Sequence, residues 1–169
     1  MSLDKSALFN LLKNFDEETT RKIVLVAVGG TAMTLLDLKA SSIDIDFTVP
    51  CSDMPEFDRI RNSVPHGYKI DVWPDGAVFC TTLPDDYLGK SSNIISFEKI
   101  LLKALHPVDI VVTKIGRLDN RDIEDIGDCI KKCSIKKEDL EKRALNVIYV
   151  SNEEDYKYNL QWTLKKFYS

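Results

Sequence analysis

The sequence predicts a single α/β domain over residues 1–169, in which an α/β half is followed by a helical tail. Three observations predict this class. The apolar run "KIVLVAV" (22–28) is typical of a buried strand, "SIDIDFTV" alternates with the period of a strand, and from residue 107 onward apolar residues recur at helical spacing. The expected boundaries are 22–105 for the α/β core and 106–169 for the helical tail.

The elements of the first half follow from their apolar patterns. Residues 4–19 are predicted to form a helix, because its apolar side chains fall on one side at Leu8, Leu11, Leu12 and Phe15. After the strand at 22–28, the predicted elements are a short helix "TAMTLLDLK", the strand "SIDIDFTV", a helix "DMPEFDRIRNSV" and the strand "GYKIDVW", which the turn Pro74-Asp75-Gly76 closes.

In the middle of the chain, "AVFCTTL" and "FEKILLKAL" are each predicted to be a strand, and "PDDYLGKSSN" between them is predicted to be a loop. From residue 107 onward the apolar residues follow helical spacing. Three helices are expected: "VDIVVTKIGRL", then "RDIEDIGDCIKKC" starting at Asp119 or Asn120, then "KKEDLEKRALNVIYV". Ser151 and Glu154 form a predicted capping box for the last helix, "NEEDYKYNLQWTLKKFYS".

Composition narrows the class of function. The 23 basic and 27 acidic residues give a formal charge of −4, which argues against broad, nonspecific nucleic-acid binding. No apolar stretch is long enough for a transmembrane helix, and the N-terminus lacks the apolar core of a signal peptide. We therefore expect a cytoplasmic protein with no membrane partner. The four cysteines form no CxxC pair, which favours free thiols over a zinc site.

Two carboxylates in an otherwise apolar strand, Asp44 and Asp46, are the strongest functional signal. Successive side chains of a strand point to opposite faces, so Asp44 and Asp46 are predicted to share one face. Ile43, Ile45 and Phe47 would fill the other face. Carboxylates this close repel each other unless a cation lies between them, and hard oxygen ligands suit Mg²⁺ or Mn²⁺.

A third carboxylate, Asp71, lies in the predicted strand "KIDVW". If this strand pairs beside the first, the carboxylates of Asp44, Asp46 and Asp71 converge. Such a set can hold one or two metal ions against a triphosphate.

Gly29 and Gly30 form a turn between a buried strand and a helix. Glycine allows the backbone to approach a phosphate closely, and a helix N-terminus presents free N–H groups. Thr31, which follows, is expected to add a hydroxyl. The sequence therefore predicts a phosphate site at this turn.

Each motif also has an ordinary explanation. A glycine pair is often only a tight turn, and Asp71 can simply precede a turn. The two aspartates can lie on a solvent-facing strand edge or belong to a glycosyltransferase metal motif. The order and spacing of the motifs favour nucleotide chemistry.

As a set, these motifs resemble the DNA polymerase beta-like nucleotidyltransferase superfamily, with thirteen residues between Gly30 and Asp44. "DIVVTKIGRLDNRDIEDI" (109–126) is similar to a segment of the minimal nucleotidyltransferases related to AbiE-type toxins. The resemblance implies a short mixed sheet with packed helices, Mg²⁺ or Mn²⁺ as cofactor, and transfer of a nucleotidyl group from a nucleoside triphosphate. It implies catalytic and metal-binding roles for Asp44, Asp46 and Asp71, and nucleotide binding by Gly29, Gly30, Thr31, Ser42, Lys114 and Arg121.

Lys114, Arg117 and Arg121 would share one helical face if the helix were unbroken, but Asp119-Asn120 predicts a break. Lys114 and Arg121 are the candidates for binding the triphosphate or the acceptor. Ion pairing on the surface with the acidic residues of "RDIEDI" is an equally weighted alternative.

The leading hypothesis is an enzyme in which an acceptor hydroxyl attacks the α-phosphorus in line. The acceptor is left open between tRNA, a protein and a small molecule. The alternatives are a non-catalytic module that binds a nucleotide or a partner, and a toxin-like component that works with an antitoxin protein. The lysines of 131–137 are expected to form a solvated face, and Trp73 and Trp162 to pack in the core.

Overall fold

The computed structural model describes residues 2–169. Within this range helices and strands are interspersed as far as residue 104, and the elements after it are helices except for one two-residue strand. The helices are α1 (Lys5–Glu18), α2 (Gly29–Leu35), α3 (Met54–Ser63), α4 (Tyr87–Lys90), α5 (Pro107–Ile115), α6 (Asn120–Lys132), α7 (Lys137–Ala144) and α8 (Glu153–Tyr168). None of these helices is both long enough and apolar enough to cross a membrane.

The strands form two sheets. They are β1 (Ile23–Ala27), β2 (Ile45–Val49), β3 (Ile70–Pro74), β4 (Ala77–Val78), β5 (Thr81–Thr82), β6 (Ser92–Ser96), β7 (Ile100–Ala104) and β8 (Ile148–Tyr149). The larger sheet has five strands in the order β3-β2-β1-β7-β6, with parallel β2–β3 and β1–β7 pairs and antiparallel β1–β2 and β6–β7 pairs. A small antiparallel sheet has the order β4-β5-β8. The predicted α/β class with a short mixed sheet is therefore confirmed.

The core lies against the larger sheet. Phe57 of α3 contacts Phe15 of α1 and Phe47 of β2, with ring centroids 6.1 and 5.6 Å apart in edge-to-face geometry. Leu25 of β1 and Ile45 of β2 are also fully buried. These apolar contacts hold β2, which carries Asp46, between the strands on either side.

The first half of the chain follows the sequence prediction closely. The helix at 4–19 is α1, with Asp4 as its N-cap and its four predicted apolar side chains buried. The predicted strands at 22–28 and in "GYKIDVW" are β1 and β3, and the turn after Pro74 is present. Ile43 is the exception, because β2 begins only at Ile45; Ile43 lies in a bend and is 61% exposed.

The middle and the tail differ from the prediction in four places. "AVFCTTL", predicted to be one strand, is a hairpin in which β4 and β5 pair around a turn at Phe79 and Cys80. The predicted loop "PDDYLGKSSN" contains α4 and the first two residues of the edge strand β6, Ser92 and Asn93, which have little strand propensity and are held by pairing with β7. The third predicted tail helix ends at Ala144, and its last residues form β8 because they pair with β5. The N-cap of α8 is Asn152, which accepts a hydrogen bond from the Glu154 backbone N–H at 2.9 Å, rather than Ser151.

Candidate active site

The strand pairing brings two of the predicted carboxylates together. In the parallel β2–β3 pair, Asp46 lies directly opposite Asp71. Their neighbours Ile45 and Phe47 are fully buried on the other face of β2, so Asp46 and Asp71 point away from that part of the core. Asp44 lies in the bend that leads into β2 and reaches the same side.

These carboxylates line an open cleft of about 430 Å³. Seven of the predicted site residues line it, namely Gly30, Ser42, Asp44, Asp46, Asp71, Lys114 and Arg121. The remaining residues that line the cleft were not predicted as site residues from the sequence. They are Lys39, Ser41, Ile43, Lys69, Trp73, Phe79, Arg117, Asp122 and Asp125. The cleft therefore combines acidic, basic and aromatic side chains.

A larger cleft, of about 680 Å³, lies between α5 and α7. Two of its carboxylates, Asp86 and Asp109, are already ion-paired with Arg143 at 2.8 and 2.6 Å. It also lacks the paired strand carboxylates of the smaller cleft, which is therefore the candidate active site.

Asp46 has an unusual electrostatic environment. Its burial raises the pKa of the carboxyl to about 6, and the negative charges of Asp71 and Asp44 add to this effect. A bound cation stabilises the ionised form of a desolvated carboxylate near two other carboxylates more than it stabilises a solvent-exposed, isolated carboxylate. The site therefore has the electrostatic character of a cation-binding site.

The Lys69 ammonium partly neutralises the charge of these carboxylates. Its ammonium forms an ion pair with Asp71 at 3.2 Å, and the hydrogen bond to Asp71 and the charges of Asp71, Asp44 and Asp46 raise the pKa of Lys69. Because the Lys69 side chain is 69% exposed, this pair is screened by solvent and easily exchanged.

Oxygen donors of this kind are the ligands that Mg²⁺ and Mn²⁺ take, so Asp44, Asp46 and Asp71 fit a hard divalent cation in chemical type. Within residues 2–169, however, no three His, Cys, Asp or Glu side chains are gathered tightly enough to hold a metal ion. The Lys69 ammonium is the cation that contacts Asp71 in this arrangement.

The glycine turn lies beside Asp46. Gly29 has φ +53°, in the left-handed region that favours glycine. A Cβ at Gly29 would lie 3.3 Å from Phe79 Cζ and 3.5 Å from Asp46 Oδ2, so a larger residue would crowd the site. Gly29 is itself buried, whereas Gly30 lines the cleft and a Cβ there would meet only the Cβ of Ser42, at 3.5 Å.

Two hydroxyls position the acidic segment. The buried Thr31 hydroxyl donates to the Asp44 carbonyl at 3.2 Å and accepts from the Asp46 backbone N–H at 3.0 Å. Ser42 donates from its hydroxyl to the same Asp44 carbonyl at 3.1 Å. Thr31 therefore lies below the cleft, where it ties α2 to the start of β2, instead of offering its hydroxyl to a phosphate.

The basic residues of the tail are divided between floor and rim. Lys114 is 3% exposed and pairs with Asp122 at 3.2 Å and Asp125 at 2.9 Å, so the expected ion pairing occurs in the interior rather than on the surface. Arg121 is exposed at the rim, and among the described residues no carboxylate lies within ion-pair distance of it. The predicted break between α5 and α6 is present, with Asp119 capping α6.

Two more cations of the cleft are tethered to the same buried acids. Arg117 pairs with Asp122 through two contacts of 2.7 Å, and Lys39 pairs with Asp125 at 2.9 Å. Burial raises the pKa of Asp122, but the Arg117 hydrogen bond and the Lys114 charge outweigh it and keep the pKa lowered. Asp122 therefore favours its ionised form, and both acids hold cations at the cleft.

Several other predicted features have structural roles outside the cleft. His106 caps α5 by accepting from the Val108 backbone N–H, and His66 contacts the Arg61 carbonyl. All four cysteines are free thiols, and the predicted lysine face on 131–137 is exposed. Trp73 and Trp162 differ from their predicted core positions: Trp73 is half-buried and lines the cleft, and Trp162 is 36% exposed on α8.

The sequence matches a family model over residues 6–168, and that model is described as "Nucleotidyltransferase of unknown function (DUF6036)". The chain belongs to this family. The fold of this nucleotidyltransferase family member is also similar to the crystal structure of ANT(2")-Ia in complex with adenylyl-2"-tobramycin. The TM-score is 0.52 and the identity 13%, and the alignment covers 96% of this chain and 97% of the other. At that identity the likeness concerns the fold alone. No curated protein matches the sequence.

Proposed function

We propose that this nucleotidyltransferase family member transfers a nucleotidyl group from a nucleoside triphosphate to a hydroxyl acceptor, with Mg²⁺ or Mn²⁺ as cofactor. The observation that carries the proposal is the cleft in which Asp46 faces Asp71 across two paired strands, with Asp44 beside them and the pKa of Asp46 raised to about 6. Such a site attracts cations and therefore suits a metal–triphosphate complex.

The roles follow from position. Asp44 and Asp46 would hold the metal, which when bound neutralises phosphate charge and polarises the α-phosphorus. The acceptor oxygen forms a bond to the α-phosphorus while the bond from that phosphorus to the bridging oxygen of the β-phosphate breaks, and pyrophosphate leaves. Asp71, whose side chain is 38% exposed at the cleft, takes the acceptor proton or orients the acceptor.

The triphosphate would lie along Gly30 and the exposed cations of the rim. Gly30 leaves its backbone open to the cleft, and Arg121 supplies a guanidinium free of ion pairs within the described residues. Lys114 would contribute its charge from the floor, because its ammonium is engaged by Asp122 and Asp125. We propose nucleotide contacts by Gly30, Ser42 and Arg121, with Gly29 and Thr31 shaping the turn.

The acceptor class is part of the proposal. The similar structure holds adenylyl-2"-tobramycin, which supports testing a small-molecule hydroxyl first. tRNA and protein acceptors are tested beside it. The resemblance of 109–126 to AbiE-related nucleotidyltransferases supports a toxin-like role beside an antitoxin protein.

The test is a transfer assay with α-labelled nucleoside triphosphates and Mg²⁺ on small-molecule, RNA and protein fractions of a cell extract. We expect the protein to label one fraction and Asp46→Asn to lower the rate at least about a hundredfold, the scale on which a key electrostatic group acts. Asp155→Asn, the same change on exposed α8, is the matched control. Triphosphate binding without labelling of any fraction would instead support the non-catalytic binding module.

A further inference from the structure

Phe79 is held in an uncommon backbone conformation at the edge of the cleft. It follows β4 in the two-residue turn to β5 and has φ +54°, a position where glycine or asparagine is usual. A large apolar residue persists at such a position only where its surroundings determine it. The consequence is that the Phe79 ring stands at the cleft, half-buried, instead of turning into the core.

The ring is held between two other side chains of the cleft. The Arg117 guanidinium lies over it, 4.3 Å from the ring centroid, and Trp73 meets it edge-on with centroids 5.3 Å apart. The two 2.7 Å contacts to buried Asp122 fix the plane of Arg117. Phe79, Arg117 and Trp73, which we call the aromatic wall, thus form a rigid cluster in which the guanidinium covers one face of the Phe79 ring and Trp73 meets the ring edge-on.

The aromatic wall begins at the glycine turn. The 3.3 Å approach of a Cβ at Gly29 to Phe79 Cζ places the ring against this turn and next to Asp46. The Arg117 side chain lines the cleft and is 46% exposed, so a ligand in the cleft can reach it. A nucleotide that binds with its phosphates at the glycine turn therefore has its sugar and base next to the aromatic wall.

We infer that the aromatic wall binds the nucleobase of the nucleoside triphosphate by stacking, with Phe79 and Arg117 as binding residues and Trp73 bracing Phe79. The inference rests on the proposed function. A planar base offers a π-face to any aromatic or guanidinium surface, and such stacking tolerates different bases. An acceptor is the alternative occupant, because Trp73 lies on β3 two residues from Asp71. The position of Phe79 against the glycine turn favours the base.

The experiment compares two probes, ATP and inorganic tripolyphosphate, each with Mg²⁺, by calorimetric titration. Tripolyphosphate has the phosphates without the base. We expect Phe79→Leu, which keeps apolar bulk without a ring, to weaken ATP binding at least about fivefold, the lower end of the stacking range, and to leave tripolyphosphate binding within about twofold.

Arg117→Lys separates stacking from charge, because lysine keeps the positive charge without the plane. We expect it to weaken ATP binding more than tripolyphosphate binding. Trp162→Phe, a partly exposed tryptophan on α8, is the matched control and should leave both affinities unchanged. In that background Trp73 is the one remaining tryptophan, and its fluorescence should change more with ATP than with tripolyphosphate.

Equal weakening of both probes by Phe79→Leu would overturn the inference, since the wall would then act on phosphates or on structure. Unchanged ATP binding with reduced transfer to an acceptor would also overturn it, in favour of an acceptor surface. In both cases the proposed function survives. If the unaltered protein binds neither probe, the inference and the proposed function fail together.

Discussion

Replacement of Lys114 by methionine tests whether the floor of the cleft depends on a buried charge network. Lys114 is 3% exposed and is the shared partner of Asp122 and Asp125, which are 0% and 5% exposed. Lys114→Met keeps the length of the side chain but removes its charge. Two buried carboxylates would then share only the outer cations Arg117 and Lys39.

The magnitude follows from this arrangement. Removal of one partner from a buried ion pair costs about 3–5 kcal/mol, because the remaining charge stays desolvated. Since Arg117 and Lys39 still compensate part of the charge, we expect the lower end, about 3 kcal/mol. For a chain of this size that loss lowers the melting temperature by about 6–12 °C.

The assay is urea unfolding and thermal melting at neutral pH. Lys39→Met is the matched control, because Lys39 contacts the same Asp125 from a side chain that is 32% exposed, where a pair contributes at most about 1 kcal/mol. If Lys114→Met is no less stable than Lys39→Met, the network does not carry the stability assigned to it and Lys114 is free to act as a ligand.

Three further substitutions test other parts of the argument. Gly29→Ala should lower the free energy of unfolding by about 1–2 kcal/mol in a denaturant titration, since alanine is disfavoured at φ +53° and would press on Phe79; an unaltered midpoint would contradict this. Asp44→Asn should abolish the rise in melting temperature that we expect from Mg²⁺ or Mn²⁺, and a retained rise would count against the metal site. Glu56, whose hydrogen bond with Arg59 lowers its pKa from 4.5 to about 2, should stabilise the protein fully above pH 4.5 and progressively less toward pH 2. The stability difference between the unaltered protein and Glu56→Gln, measured at pH 6 and pH 3, should therefore be smaller at pH 3.

The candidate site shows which inferences a sequence supports. The alternation of side chains along a strand predicted that Asp46 lies on a polar face. The sequence also predicted that Asp71 lies on a neighbouring strand, and in the register of β2 with β3 it lies opposite Asp46. Alternation failed at Ile43, because the strand begins two residues later and the segment before it bends. Periodicity is informative only within the element, and the end of an element depends on its neighbours.

The aromatic residues of the cleft were harder to predict from the sequence than the carboxylates. Trp73 follows Asp71 by two residues on the same strand, so the rule that placed Asp71 at the cleft would have placed Trp73 there also. Phe79 had no such signal, since nothing in "AVFCTTL" indicates a left-handed residue. Its position follows from the short β4–β5 hairpin and from the side chains that surround the ring.

By itself the sequence determined the α/β class, the glycine turn, the strand carboxylates and the break between the two tail helices. These features depend on local chemistry, namely apolar periodicity, the freedom of glycine and the capping of a helix by Asp119. Only the tertiary structure decided that Lys114 is buried between two carboxylates, that "IY" near residue 149 becomes a strand, and that Arg117 stacks on Phe79. Some of these contacts join segments that are distant in sequence, and the Lys114 contacts form across the break between α5 and α6. They depend on how the elements pack and not on any local pattern.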